Sequence, residues 1–282
     1  MKKLHYTWWF SILTVLLAGG CARLAVPVAS SMIPGFTSAF FEECDLELAE
    51  ASLPAELKLM EGLLKNDPGN AQVLSSLCMG FTGYAMLFVE DENPERASGL
   101  YLRAKTYGLR AMGILKVDSN RTLDYIKRMS PENIEMLFWT TMAWNAWVNL
   151  NLDKPAAIGE STLAVACLKR VLEIDADYYY GAPCVLMGSI LAARPPMLGG
   201  NPDKARAYFE KAIRLTEGKF LLAPYYFARY YAVRIQDRKL FVKLIETIAK
   251  TNPHELKDAC LINQAVKQKT AMLAEMEDEL FF

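Results

Sequence analysis

Apolar positions in this chain recur at i, i+3, i+4 and i+7, and clusters of Pro, Gly, Asn and Asp interrupt them at intervals. That pattern predicts helices over Leu53–Lys65, Ala71–Val89, Glu132–Asn149 and Ser161–Ile174. Further on it predicts Tyr178–Ala193, Pro202–Leu215, Leu221–Ile235, Lys239–Lys250 and Leu256–Phe282. No stretch sustains the alternation of β-branched residues that a strand needs, so no sheet is expected. Several helices announce their starts. Asn93-Pro94-Glu95, Ser130-Pro131-Glu132 and Asn201-Pro202-Asp203 each place a capping side chain before a proline and then an acid. The cap satisfies a free backbone N–H, the proline has none to waste, and the acid complements the positive helix end.

Behind two of those starts the same face recurs: Ala97, Tyr101 and Ala104, then Ala205, Phe209 and Ala212. Small-large-small at i, i+4 and i+7 is how the second helix of a tetratricopeptide repeat packs on its partner. Gly80 and Gly83 in the long apolar helix would admit a neighbouring backbone. The spacing between units departs from a strict 34-residue period. The expected fold is therefore all-α: degenerate tetratricopeptide-like helical hairpins bent into one compact domain over residues 41–282, with the last helix capping the stack.

The first residues read differently. Lys2 and Lys3 precede an apolar run, Leu4–Leu17, and Ala18-Gly19-Gly20 leads to Cys21. This order matches a bacterial secretory signal over residues 1–20, with Cys21 acylated as the mature N-terminus. Residues 21–40, broken by Pro27, Pro34 and Gly35, read as a lipidated tether. Two or three acyl chains would hold the protein at a membrane, each buried CH₂ contributing about 0.8 kcal/mol. Ala22 is not the Asp that retains some lipoproteins at the inner membrane, which favours the outer one.

Loss of Lys2 and Lys3 takes the formal net charge from −1 to −3. No basic stripe is present, so nucleic acid is not an expected partner. Five cysteines remain after Cys21, and none forms a CxxC pair or has a His at zinc-ligand spacing; no metal site is expected. Cys78, Cys167 and Cys184 lie in apolar helical runs, where a free thiol acts as a small core residue. Buried free thiols are the reading carried forward. One disulfide is the alternative, and the sequence does not pair it.

Enzyme chemistry is poorly represented. His254 is the one histidine outside the leader, there is no phosphate-binding loop, and Gly199-Gly200 follows no strand. Neither catalysis nor a cofactor is expected. Candidate binding groups exist, each with a plainer structural reading. Arg194 beside Pro195-Pro196, with Met197 and Leu198 at the tip, could grip a carboxylate while apolar groups take the rest of a ligand; equally, the prolines stop a helix and the glycines turn the chain. Trp144 and Trp147 share a face and could line a channel or simply pack the core. Tyr226 and Tyr230 share one face of the same helix as Phe227 and Tyr231. With aromatics all round, some must meet a pore or another chain. Arg238 follows in the next turn, after Asp237, which reads as a cap.

Specific stretches add to this. Tyr180-Gly181-Ala182, Arg194-Pro195-Pro196-Met197-Leu198-Gly199-Gly200 and Asp203-Lys204-Ala205-Arg206 resemble the T-component family of TRAP transporters, as do residues 228–243, 261–265 and the terminal Leu280-Phe281-Phe282. The resemblance spans about residues 40–282, with a looser match over 112–135. It implies periplasmic lipoproteins of cryptic tetratricopeptide repeats, assembled as homo-oligomers such as trimers. It also implies a partner, the TRAP substrate-binding protein, and relay of a small organic ligand of hydrophobic character. The competing expectation is a tetratricopeptide lipoprotein that serves envelope assembly as an adaptor and takes no small molecule.

Overall fold

The computed structural model describes residues 31–281. Its helices are α1 (31–42), α2 (Leu46–Asn66), α3 (Ala71–Tyr84), α4 (Pro94–Ala111), α5 (Ser119–Lys127), α6 (Ile134–Asn149) and α7 (Pro155–Ile174). They continue with α8 (Tyr178–Ala193), α9 (Pro202–Leu215), α10 (Leu222–Tyr226), α11 (Arg238–Lys250), α12 (Cys260–Glu275) and α13 (Glu277–Leu280). No strand occurs among the described residues, and the fold is all-α. Neighbours in sequence pack as neighbours in space: α2 on α3, α3 on α4, α6 on α7, α8 on α9. A second set of contacts, α4 with α6 and α12 back onto α2, closes the stack into one body. Ala71–Val89 is long and apolar enough to cross a membrane, but most of it is buried inside the protein.

Three of the predicted caps form, while Ser130 makes no side-chain cap hydrogen bond and the chain enters α6 through a 3₁₀ turn, Pro131–Asn133. Asn93 accepts from Arg96 N at 3.0 Å, Asn201 from Lys204 N at 3.0 Å and Asp237 from Leu240 N at 2.9 Å. Each such bond is worth about 1 kcal/mol of helix stability. Both small-large-small faces are fully inside. Phe209 lies against Gly188 of α8, where a Cβ would sit 3.1 Å from the ring, and stacks on Phe227 at 5.1 Å. Burying one such ring contributes about 1.5–3 kcal/mol.

Several elements differ from the pattern-based reading. Residues 31–40 of the expected tether are helical and continue through 42; Ile33 is buried, and Phe41, just beyond the tether, stacks on Trp139 of α6 at 5.9 Å. The helix expected from Leu53 begins at Leu46, with Asp45 as its cap. The start of α8 is not helical: Tyr179, Tyr180 and Gly181 have φ of 44°, 61° and 79°. This left-handed corner brings Gly181 against Ala212 of α9, where an added Cβ would meet Ala212 Cα at 3.3 Å. The regular helix then starts around Ala182-Pro183, so Pro183 lies in a first turn.

Cys78, Cys167 and Cys184 are buried free thiols, as expected. Cys44 and Cys260 are not free. They form a disulfide across 216 residues that ties the start of α2 to the start of α12. His254 lies beside it, with Nδ1 3.3 Å from Cys44 Sγ and 3.6 Å from Cys260 Sγ. The three side chains lie close enough together to share a metal ion, which the sequence spacing did not suggest; with both sulfurs bonded to each other, no thiolate pair is on offer. The lipidation candidate, Cys21, lies outside the described residues.

Candidate functional site

Two of the helices do not run regularly to their ends. After α3 the chain continues as a π-helical turn, Ala85–Val89, in which Glu90 N reaches Ala85 O at 2.9 Å. After α10 a second π segment, Phe227–Ala232, closes with Val233 N on Ala228 O at 3.2 Å. Each i→i+5 turn holds one extra residue and re-aims the side chains around it; such turns cluster at functional sites. Here both border the same cavity, of about 60 Å³.

The first π segment supplies Met86 and is followed by Glu90, while Tyr226 and Tyr230 come from the second and its approach. From α6 come Met142 and Asn145, and from α8 Leu186, Ser189 and Ile190, on one helical face. Asn149 and Ala193 line the same cavity and are exposed, which marks its mouth. Thr82 and Tyr101 lie at its buried end.

The electrostatics of this cavity are specific. Tyr101 Oη donates to Glu90 Oε2 at 2.5 Å. Desolvation raises the Glu90 pKa above the usual carboxylate value, against the pull of the Tyr101 hydrogen bond and the Arg229 charge. Burial likewise lifts the phenols of Tyr226 and Tyr230 above the ordinary tyrosine value, so both are neutral hydroxyls at physiological pH. Behind the cavity Arg229 bonds Asp91 Oδ1 at 2.8 Å and Tyr225 Oη at 2.7 Å, and Lys269 bonds the other Asp91 oxygen. Arg229 also sits 5.7 Å from the Tyr230 ring centre, within cation–π range. These contacts join the turn after the first π segment, the second π segment and α12 around the cavity.

Of the residues singled out in the sequence, Tyr226 and Tyr230 meet there, their rings 5.3 Å apart. Arg194 is chain-adjacent to the mouth residue Ala193 and half-buried; desolvation lowers its pKa from the ordinary arginine value. Its backbone N–H closes α8 on Ile190 O at 3.2 Å. Met197, 88% exposed, projects from the loop after it. Trp144 and Trp147 lie elsewhere. Trp144 donates to Glu160 Oε2 at 2.7 Å, and Lys105 Nζ, bonded to the same oxygen at 2.7 Å, sits 4.3 Å from the Trp147 ring centre. Both rings pack on an ion pair between buried Lys105 and partly exposed Glu160 rather than forming a cavity wall. Arg238 pins the start of α11 to α13, through Glu277 at 2.7 Å and through Asp278.

Sequence reasoning passed over Asn145, Glu90 and Tyr101. Asn145 had one visible signal, a polar side chain amid the apolar run of α6. Glu90 carries no signal beyond its acidic neighbours Asp91 and Glu92, and Tyr101 reads as the large residue of a packing face.

A protein of Treponema pallidum (strain Nichols), described as an uncharacterized protein, is 26% identical over 244 residues, covering 73% of this chain and 76% of its own. The profile of the TRAP transporter T-component family matches residues 42–281, from the last residue of α1 to the end of the described chain. The chain belongs to the TRAP transporter T-component family.

Proposed function

We propose that this protein is a non-catalytic, lipid-anchored accessory of a TRAP transporter in the bacterial periplasm, docking the substrate-binding protein and relaying a small organic ligand. The observation that carries the reading is the cavity walled by two π segments. A walled site lined by Met and Tyr lowers the cost of stripping water from an apolar ligand during transfer between proteins. Met197 and Leu198, exposed on the loop that leaves the mouth, offer the partner an apolar contact beside the opening. An acyl anchor at Cys21, with the outer membrane as its site, would keep the relay at the envelope, and a homo-oligomer such as a trimer would multiply it.

The test is native mass spectrometry of the full-length protein in mild detergent, alone and with the substrate-binding protein of the same transporter. Capture of that partner, or retention of a small organic molecule, supports the relay. A ligand-free protein indifferent to the partner overturns it and leaves the envelope-assembly adaptor in front.

A further inference from the structure

The cavity is uneven in its hydrogen-bonding capacity. Asn145 is 3% exposed, and its Nδ2 donates to two backbone carbonyls, Thr141 O and Ala164 O, each at 2.9 Å. Those two acceptors fix the amide orientation, because a flipped amide would set oxygen against oxygen. Its Oδ1 is left buried with no partner. A buried carbonyl without a donor costs about 1–3 kcal/mol, and native interiors rarely leave one so.

The other buried polar groups lining the cavity have committed their protons. Thr82 Oγ1 donates to Cys78 O at 2.6 Å, Ser189 Oγ to Val185 O at 2.9 Å, and the Tyr101 hydroxyl to Glu90. What each still offers is lone pairs. Glu90 is the one charged residue in the lining, which contains no Lys, Arg or His. Tyr226 and Tyr230, partly exposed, keep hydroxyls that both donate and accept. Around the acceptors the wall is apolar, with Met86, Met142, Leu186 and Ile190.

Resting on the reading of this cavity as the ligand site, we infer that it takes a small amphiphile whose head donates N–H hydrogen bonds, a primary amide or a protonated amine, and discriminates against carboxylate anions. The head is held at Asn145 Oδ1, and the short apolar body lies along the Met and Leu wall towards the mouth. A carboxylate in the same place would bring acceptors to acceptors and a second carboxyl group beside Glu90. Specificity of this kind arises from repulsion of the wrong head as much as from attraction of the right one. Arg229 and Lys269 are engaged by Asp91 behind the wall and do not line the cavity, so they do not reverse that preference.

Calorimetric titration of the full-length protein with butyramide, n-butylammonium and butyrate tests the assignment, with equal apolar bodies and different heads. The expected result is that at least one donor head binds about 10-fold or more tightly than butyrate, and the two donor arms tell a neutral head from a charged one. Ala146→Leu, which narrows the cavity without touching its hydrogen-bonding groups, should abolish that binding and so locate it. Asn145→Leu should lower the affinity by about 10-fold, with a melting curve taken alongside because the amide also braces α6 against α7. If Asn145→Leu does not fold, the head-group comparison and Ala146→Leu still decide. Butyrate binding as tightly as either donor, or donor binding that survives Ala146→Leu, overturns the inference. So does an absence of binding by all three probes, which would leave the cavity to water. None of these outcomes touches partner docking, which the native mass spectrometry reads on its own.

Discussion

Gly108 of α4 faces Thr140 of α6 with no room for a side chain between them. A Cβ at Gly108 would lie 2.1 Å from Thr140 Oγ1 and 2.9 Å from Cys78 Sγ of α3, so three helices converge on one missing methyl group. Thr140 cannot readily withdraw, since its hydroxyl donates to Met136 O at 2.7 Å. Gly108→Ala should destabilise the fold by about 1–3 kcal/mol despite the better helix propensity of alanine. Gly62 in the exposed part of α2 is the control: nothing lies within 4 Å of its Cβ position, and Gly62→Ala should stabilise by about 0.5–1 kcal/mol. Urea unfolding of both variants checks the pair. A Gly108→Ala protein as stable as the parent would show that the three-helix contact is looser than it looks.

Much of this packing was legible in the sequence, and the limits are physical. Asn93, Asn201 and Asp237 were readable as caps because a cap needs only neighbours within three residues. Phe209 and Tyr101 were readable as core because helical period alone sets the buried face. The π turns leave no such trace: one extra residue in a turn is a compromise between tertiary contacts on both sides. Tyr226 and Tyr230 share a face in either geometry, so the pattern found the pair but not the cavity. The left-handed Tyr179-Tyr180 corner carries no signature, since it is held by aromatic contacts such as Tyr179 with Phe220 at 6.0 Å. The Cys44–Cys260 pairing joins opposite ends of the domain, which no local rule sees.

That disulfide should carry a large share of the stability. Closing a loop of 216 residues removes unfolded-chain entropy worth about 5 kcal/mol in the loop-closure treatment. Denaturation midpoints with and without reductant, and for the Cys44→Ser, Cys260→Ser double variant, should fall together. The three remaining thiols should behave oppositely. Burial pushes Cys78 and Cys167 up to about 12 and raises Cys184 as well, so thiolate is scarce and access is closed. Iodoacetamide should label none of them in the native protein and all three after unfolding. Rapid native labelling of Cys78 would contradict its place beneath Gly108.

Lys105 and Glu160 explain the two tryptophans that do not reach the cavity. The lysine is buried between α4 and α7, bonded to Glu160 and set against Trp147 and Trp144. Glu160→Ala leaves a buried cation and the Trp144 N–H without their acceptor, and should cost about 3–5 kcal/mol. Lys105→Met keeps the stem packed on the rings and leaves the partly exposed Glu160 bonded to Trp144, so its loss should be much smaller. Unfolding followed by tryptophan fluorescence reads both. Equal losses in the two variants would show that the pair, rather than the stranded charge, sets the cost.

Glu90 and Asp91 are adjacent, yet their pH dependences should have opposite signs. Glu90 is raised by desolvation, so its contribution is fully present below the ordinary carboxylate pKa of about 4.3 and is lost as pH rises through the higher folded value. For Asp91 burial alone would raise the pKa, but the Lys269 hydrogen bond and the Arg229 charge bring it below the ordinary value of about 3.9. Its contribution is present above that value and is lost as pH falls through the folded one. Relative to the parent, Glu90→Gln should therefore gain stability progressively as pH rises above about 4.3. Asp91→Asn should lose about 1–2 kcal/mol at neutral pH and converge with the parent towards pH 3. Denaturation measured across that range separates the two, and parallel profiles would refute the assignment.

The loop after α8 separates scaffold from contact surface within seven residues. Gly200 has no room for a side chain, because its Cβ would lie 1.8 Å from Arg194 O, and Gly199 has a φ of 88° that favours glycine. The loop is closed by Gly200 N on Pro195 O at 3.1 Å and Asn201 N on Leu191 O at 2.9 Å. Gly200→Ala should thus lower the melting temperature and disorder the mouth. Met197, by contrast, touches too little of the protein to matter for its folding, and Met197→Ser should leave the unfolding curve unchanged. Its expected effect is on docking: about a 10-fold or greater loss of affinity for the substrate-binding protein, as an apolar anchor leaving an interface would give. Titration of the partner against both variants reads the difference. Unimpaired docking by Met197→Ser would move the contact away from this loop, whereas a docking loss at unchanged stability would fix the partner beside the mouth of the cavity.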